Sequence, residues 1–111
     1  MCHRAGPSAL SLALLLSAGW AQAQHAQGEL LARNLAATCA NCHGTNGHAR
    51  AGMPVLAGMP ADQLVALLAR FKSGALAATV MQQIAKGYSD EQIRLIASFF
   101  AAQPKQPERS Q

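Results

Sequence analysis

The stretch Cys39-Ala-Asn-Cys42-His43 brings two thiols and an imidazole within five positions. Upstream of it, apolar residues recur every three to four positions between Glu29 and Cys39, which is the spacing of one helical face. We therefore predict a helix that leads straight into this motif. At a helix end, the spacing allows both sulfurs to reach one edge of a flat ring while the imidazole turns beneath its centre.

Two cysteines in this spacing, followed at once by histidine, form the attachment pattern of a c-type haem. The sulfurs reach the vinyl groups on one edge of the porphyrin, and the imidazole binds the iron. We expect one covalent haem c, attached to Cys39 and Cys42, with His43 as an axial ligand.

Other uses of paired cysteines fit the sequence less well. A thioredoxin-like redox pair requires a parallel sheet, and no segment alternates as a strand does. A zinc site requires four ligands, whereas His43 and His48 follow Cys42 too closely to complete a tetrahedron. A disulfide across two intervening residues is awkward in geometry, although it would protect the thiols in an oxidising compartment.

A second axial ligand must come from elsewhere in the chain. The candidates are His25, His48, Met53, Met59 and Met81. His48 is too near His43 to cross the porphyrin plane, and His25 precedes the first helix, so both are expected at the surface. Met53 and Met59 are equally suited to fill the core. Met81 follows a helix and a loop that can carry the chain to the opposite haem face, so we expect Met81 to bind the iron, with Met53 and Met59 as alternatives.

The histidine ligand also needs a hydrogen bond to its other ring nitrogen, which fixes the tautomer. The segment from Gly44 to Gly58 is rich in glycine and predicts a long loop. We expect a backbone carbonyl of this loop to accept that bond, and Pro54 is the candidate.

The rest of the chain predicts an all-α, cytochrome c-like fold of about four helices around the haem. Pro60 suits the first position of a helix that Gly74 stops, and Thr79 to Lys86 makes about two further turns. A capping box at Ser89 to Gln92 opens the last helix, which Pro104 ends. The first and last helices are expected to cross. The predicted contacts place Leu31 and Leu35 on Ile96, Phe99 or Phe100.

Residues 1–23 predict a cleaved signal peptide, with a basic start, an apolar run and small residues before a cut between Ala23 and Gln24. The apolar run is shorter than the roughly twenty residues that cross a bilayer. We therefore expect a periplasmic protein with no membrane span after cleavage. Residues 24–103 form its domain, and 104–111 form a flexible tail. The formal charge of +4 comes without a Lys/Arg cluster, so nucleic-acid binding is not expected.

The motif extended to Gly47, together with Pro54-Val-Leu-Ala-Gly58, resembles the small bacterial class I c-type cytochromes. The stretch from Thr79-Val-Met81 through Ala-Lys-Gly87-Tyr88 to Ile93 is similar to the cytochrome subunit of flavocytochrome c sulfide dehydrogenase. This resemblance implies that Met81 is the sixth iron ligand. It also implies an FAD-containing flavoprotein partner, which oxidises sulfide and passes electrons singly to the haem. Only one attachment motif occurs, so the resemblance is to a single-haem version.

Electron transfer is therefore the expected function, and the chain alone is not expected to be an enzyme. It would take electrons from the flavoprotein and give them to a downstream redox carrier. One alternative is a free-standing cytochrome that serves a terminal oxidase or another acceptor. An alternative of another class is a haem sensor or peroxidase whose sixth ligand is weakly held.

Overall fold

A computed structural model of the chain describes residues 8–50 and 52–105, and their side chains from residue 22 onward. Four α-helices follow one another as α1 (Ser8–His43), α2 (Ala61–Ser73), α3 (Met81–Lys86) and α4 (Asp90–Ala101). A 3-10 turn at Thr45–Gly47 follows α1. No strand occurs in these described ranges. The prediction of an all-α fold with about four helices is confirmed.

Helix α1 is longer at both ends than the predicted helix, which ran from Glu29 to Cys39. Residues 22–31 of α1 are exposed apart from Gly28, which is half-buried, and the first buried residue of the helix is Ala32. Residues 1–7 of the predicted signal peptide and 106–111 of the predicted tail lie outside the described residues. In the part of the chain that the structure describes, no helix has the length and apolar character needed to cross a membrane.

Small side chains form the buried face of α1. Ala32 and Ala36 are buried, and Leu35 packs against the core. The predicted contact of Leu31 is wrong, because Leu31 is 50% exposed. Each helical residue advances the side-chain direction by about 100°, so burial of Ala32 and Ala36 turns Leu31 toward solvent. The small alanines allow α1 to approach α4 closely.

Helix α4 supplies the centre of the core. Ala97 and Phe100 are completely buried, and Ile93 and Ile96 are nearly so. The predicted capping box is confirmed: the Gln92 N–H donates to Ser89 Oγ, and the Ser89 N–H donates to Gln92 Oε1. These bonds satisfy N–H groups that the first helical turn leaves free.

Helix α2 packs beside α3 and α4 through one apolar face. Leu64 and Leu68 are buried on that face. Pro60 lies just before the helix in an extended conformation, one position earlier than predicted. Gly74 ends α2 in the left-handed conformation, as its position predicted.

The long first loop is tied to the core at several points. Leu56 and Ala57 are buried, and their N–H groups donate to the carbonyl of Gly47 at 3.0 and 3.2 Å. The N–H of Gly58 donates to the carbonyl of Phe100 at 2.9 Å. The loop between α1 and α2 therefore has a fixed path, which passes over the end of α4.

Candidate haem site

The three motif residues occupy the last turns of α1. Cys39 is half-buried, Cys42 is exposed, and both are free thiols among the described residues. Residues three apart on a helix lie on neighbouring parts of one face, so the two sulfurs share a side of α1. Burial raises the pKa of the Cys39 thiol, so this sulfur stays protonated at neutral pH. Gly44, with φ of 78°, ends the helix directly after His43.

His43 is buried, with 7% of its surface exposed. Its Nδ1 lies 2.8 Å from the carbonyl oxygen of Pro54. A carbonyl can only accept, so Nδ1 carries the proton and donates it. In the neutral ring this tautomer leaves the lone pair of the other nitrogen, Nε2, available for a metal ion.

The sulfur and imidazole candidates for a second ligand have different surroundings. Met81 begins α3 and is half-buried against the core. Met59 also packs against the core, whereas Met53 is 41% exposed in the first loop. His25 is exposed on α1. Nδ1 of His48 is buried without a hydrogen-bond partner among the described atoms.

Exposed apolar side chains occur beside two of the predicted site residues. Met53 and Val55 flank Pro54, and both have more than a third of their surface exposed. Val80 precedes Met81 directly, and Ile84 lies one helical turn beyond it. Val80 is 56% exposed and Ile84 is 37% exposed. Apolar groups left open in this way indicate a surface that another apolar group covers.

The structure also contains a polar link that the sequence did not suggest. The hydroxyl oxygens of Thr38 and Tyr88 lie 2.6 Å apart. Lys72 Nζ donates to the carbonyl of Tyr88 and to a carboxylate oxygen of Asp90, both at 2.8 Å. Fifty residues separate Thr38 from Tyr88, so no local sequence pattern predicts this contact.

A helical domain that offers two thiols and a buried imidazole, whose Nδ1 donates to a backbone carbonyl, from one helix end is of the haem-attaching class. The family model for cytochrome c matches residues 26–103. The chain belongs to the cytochrome c family. This membership implies a covalently bound haem c, and Cys39 and Cys42 are positioned as in the attachment motif of such proteins.

Three curated relatives give the family likeness more detail. The cytochrome subunit of sulfide dehydrogenase from Chlorobaculum tepidum is 41% identical over 66 residues, which are 60% of each chain. The thiosulfate dehydrogenase electron acceptor of Stutzerimonas stutzeri is 39% identical over 102 residues, 90% of this chain and 46% of that protein. Cytochrome c-553 of Desulfomicrobium norvegicum is 32% identical over 74 residues, 64% of this chain and 92% of that protein.

The chain therefore spans about three fifths of the sulfide dehydrogenase subunit and less than half of the thiosulfate dehydrogenase acceptor. Membership of the cytochrome c family gives the chain the function of single-electron transfer through its haem.

The described residues fit a haem. The tautomer of His43 leaves the correct nitrogen free for iron, and the open apolar groups around Pro54 and Met81 match the apolar faces of a porphyrin. A bound porphyrin would cover the exposed apolar side chains beside these two residues.

Proposed function

We propose that this chain is the cytochrome subunit of a flavocytochrome c sulfide dehydrogenase. It accepts electrons one at a time from an FAD-containing subunit and passes them to a downstream redox carrier. The observation that carries the proposal is the 41% identity with a protein named as the cytochrome subunit of sulfide dehydrogenase. The resemblance of the segment from Thr79 to Ile93 agrees with this identity.

We assign the haem-binding roles within this proposal. Cys39 and Cys42 form the two thioether bonds, His43 Nε2 binds the iron, and Met81 supplies the sixth ligand. When bound, the haem supplies a one-electron couple between ferric and ferrous iron. A thioether ligand raises the reduction potential of this couple, which suits an electron acceptor.

The polypeptide holds the ligand geometry and excludes water. The bond from His43 Nδ1 to the Pro54 carbonyl fixes the plane of the imidazole. Val55, Val80 and Ile84 are exposed apolar side chains beside Pro54 and Met81, and packed against a bound haem they would lower the polarity around its iron and so favour the less charged ferrous state.

We place the working protein in the periplasm, after removal of residues 1–23. The apolar run and the small residues before Gln24 support this export. The exposure of α1 from residue 22 to Leu31 also supports it, because cleavage there removes no residue of the described core. Residues 24–103 form the working domain.

A free-standing electron carrier is the second candidate. The identity of 39% over 90% of the chain is with a protein named as a thiosulfate dehydrogenase electron acceptor. The similarity to cytochrome c-553 covers 92% of that protein. Such a carrier takes electrons from a dehydrogenase on contact and has no permanent flavin subunit.

Purification from the native periplasm separates these functions. A tagged chain is isolated with its associated proteins, assayed for FAD, and tested for haem reduction by sulfide and by thiosulfate. Copurified flavin with sulfide-dependent reduction supports the subunit. A haem protein without flavin, reduced only when a separate dehydrogenase is added, supports the free carrier. Rapid binding of carbon monoxide by the ferrous native protein would instead favour a sensor or peroxidase.

A further inference from the structure

Tyr88 connects three helices through two different groups. Its hydroxyl contacts Thr38, which immediately precedes Cys39 on α1. Its carbonyl accepts a hydrogen bond from Lys72 near the end of α2. Tyr88 itself lies in the short segment between α3 and α4. Tyr88 therefore joins the helix that carries the haem-attachment motif to the segment that follows Met81.

The direction of the hydrogen bond between the two hydroxyls follows from the proton count. Thr38 has a single hydroxyl proton, which it donates to the carbonyl of Leu35 at 2.7 Å. Its oxygen must therefore accept from Tyr88. Removal of the Tyr88 hydroxyl deletes this bond, but the Thr38 hydroxyl still donates to the carbonyl of Leu35. The substitution therefore leaves no hydrogen-bond donor without a partner.

Helix α3 depends on such attachments because it has only six residues. A helix of this length is not stable alone, and its place is set by tertiary contacts. Ala85 anchors it in the core, while Val80 and Ile84 remain open. The N–H of Tyr88 donates to the carbonyl of Ala85 at 3.3 Å, so Tyr88 continues directly from the end of α3.

We propose that Tyr88 is a positioning residue for the sixth iron ligand. By donating to Thr38, it ties the segment that directly follows α3 to the end of α1, and so fixes the position of Met81 relative to His43. The bond reaches the attachment motif because Thr38 directly precedes Cys39, to which we assign a thioether bond. This inference rests on the proposed role of Met81 as ligand.

The test uses the ferric holoprotein and imidazole as a competing ligand. Imidazole binds only when the methionine has left the iron, so its apparent affinity reports the fraction of protein in which Met81 is detached. Loss of one hydrogen bond corresponds to about a fivefold rise in that fraction. We expect Tyr88→Phe and Thr38→Val each to raise the apparent imidazole affinity by about this factor, and the double variant to do no more than either single change.

Ser98→Ala is the matched control. It removes a hydroxyl that donates only to Leu95 on its own helix, so the imidazole affinity should not change. The midpoint of global unfolding is measured in parallel, because a merely structural role would lower that midpoint without changing the imidazole affinity.

The outcomes distinguish this inference from the proposed ligand. If the wild type shows the ferric charge-transfer absorption of methionine ligation and Tyr88→Phe binds imidazole as the wild type does, the positioning role is wrong and the ligand assignment stands. If the wild type lacks that absorption, the assignment of Met81 fails, and this inference fails with it.

Discussion

Nδ1 of His43 and the carbonyl oxygen of Pro54 lie 2.8 Å apart, and this bond joins the end of α1 to the first loop. The acceptor belongs to the backbone, so its position depends on the path of the loop. The pyrrolidine ring limits φ at residue 54, which restricts the direction in which this carbonyl points. The orientation of the imidazole is thus set by backbone geometry.

The Nδ1 proton of His43 should exchange slowly with solvent. The ring is buried and the proton is hydrogen-bonded, whereas the ring of His25 is exposed. We expect exchange slower by on the order of tenfold or more at His43 than at His25. Nitrogen-15 NMR of the ferrous holoprotein measures both rings in one sample. Equal exchange rates would contradict the hydrogen bond.

Substitution of Met81 by alanine should abolish the ferric charge-transfer absorption of methionine ligation. The reduction potential should also fall, because the thioether ligand raises it. Absorption spectroscopy and redox titration of the purified holoprotein measure the two effects.

Met53→Leu and Met59→Leu serve as controls for that experiment. Both keep an apolar side chain of similar size while they remove a sulfur. The absorption should survive in each variant. Its loss in either one, with retention in Met81→Ala, would move the ligand to the first loop.

The pairing of Lys72 with Asp90 should make stability depend on acid pH. The hydrogen bond from Lys72, followed by its charge, lowers the pKa of the Asp90 carboxyl. A group with a lowered folded pKa stabilises the fold above its unfolded pKa, about 4 for aspartate, and this contribution is lost as the pH falls through the folded value. We expect Lys72→Met to lose less stability than the wild type as the pH falls below about 4.

Denaturant unfolding at a series of pH values measures this difference. The effect should be small, because Asp90 is largely exposed to water. Asp90→Asn should reduce the loss of stability at acid pH in the same way. The double variant should show no further reduction. If the wild type and Lys72→Met differ in free energy of unfolding by the same amount at every pH, only the loss of the bond from Lys72 to Tyr88 is measured.

The sequence was sufficient for the features that follow local rules. The apolar stripe of α2, the left-handed glycine at position 74 and the capping box at Ser89 are present where their patterns predicted them. These features depend on residues a few positions apart, so periodicity and capping chemistry determine them.

Other features depend on packing between distant parts of the chain. Leu31 appeared to share a face with Leu35, yet the contact of α1 with α4 buries Ala32 and Ala36 and leaves Leu31 exposed, while Leu35 packs at the edge of the core. The bond between Thr38 and Tyr88 depends on how α1 meets the end of α3, and a hydroxyl in a sequence gives no sign of its partner. A local pattern predicts the direction of a buried helix face only to within about one residue. An error of that size placed Leu31 in the predicted contact, where the structure buries Ala32.

Gly47 should be one of the least replaceable residues of the first loop. Its φ is +81°, and a Cβ there would lie 2.7 Å from the Ala57 nitrogen and 2.8 Å from a ring carbon of Phe100. Gly52 has a similar φ of +89° but nothing within 4 Å of its Cβ position, so Gly52→Ala is a matched control for backbone strain alone. Backbone strain costs about 1–2 kcal/mol in both variants, and the clash should add about 2 kcal/mol to Gly47→Ala. Denaturant unfolding of the two holoproteins measures the difference, and equal losses of stability would mean that the loop moves away from Phe100 without cost.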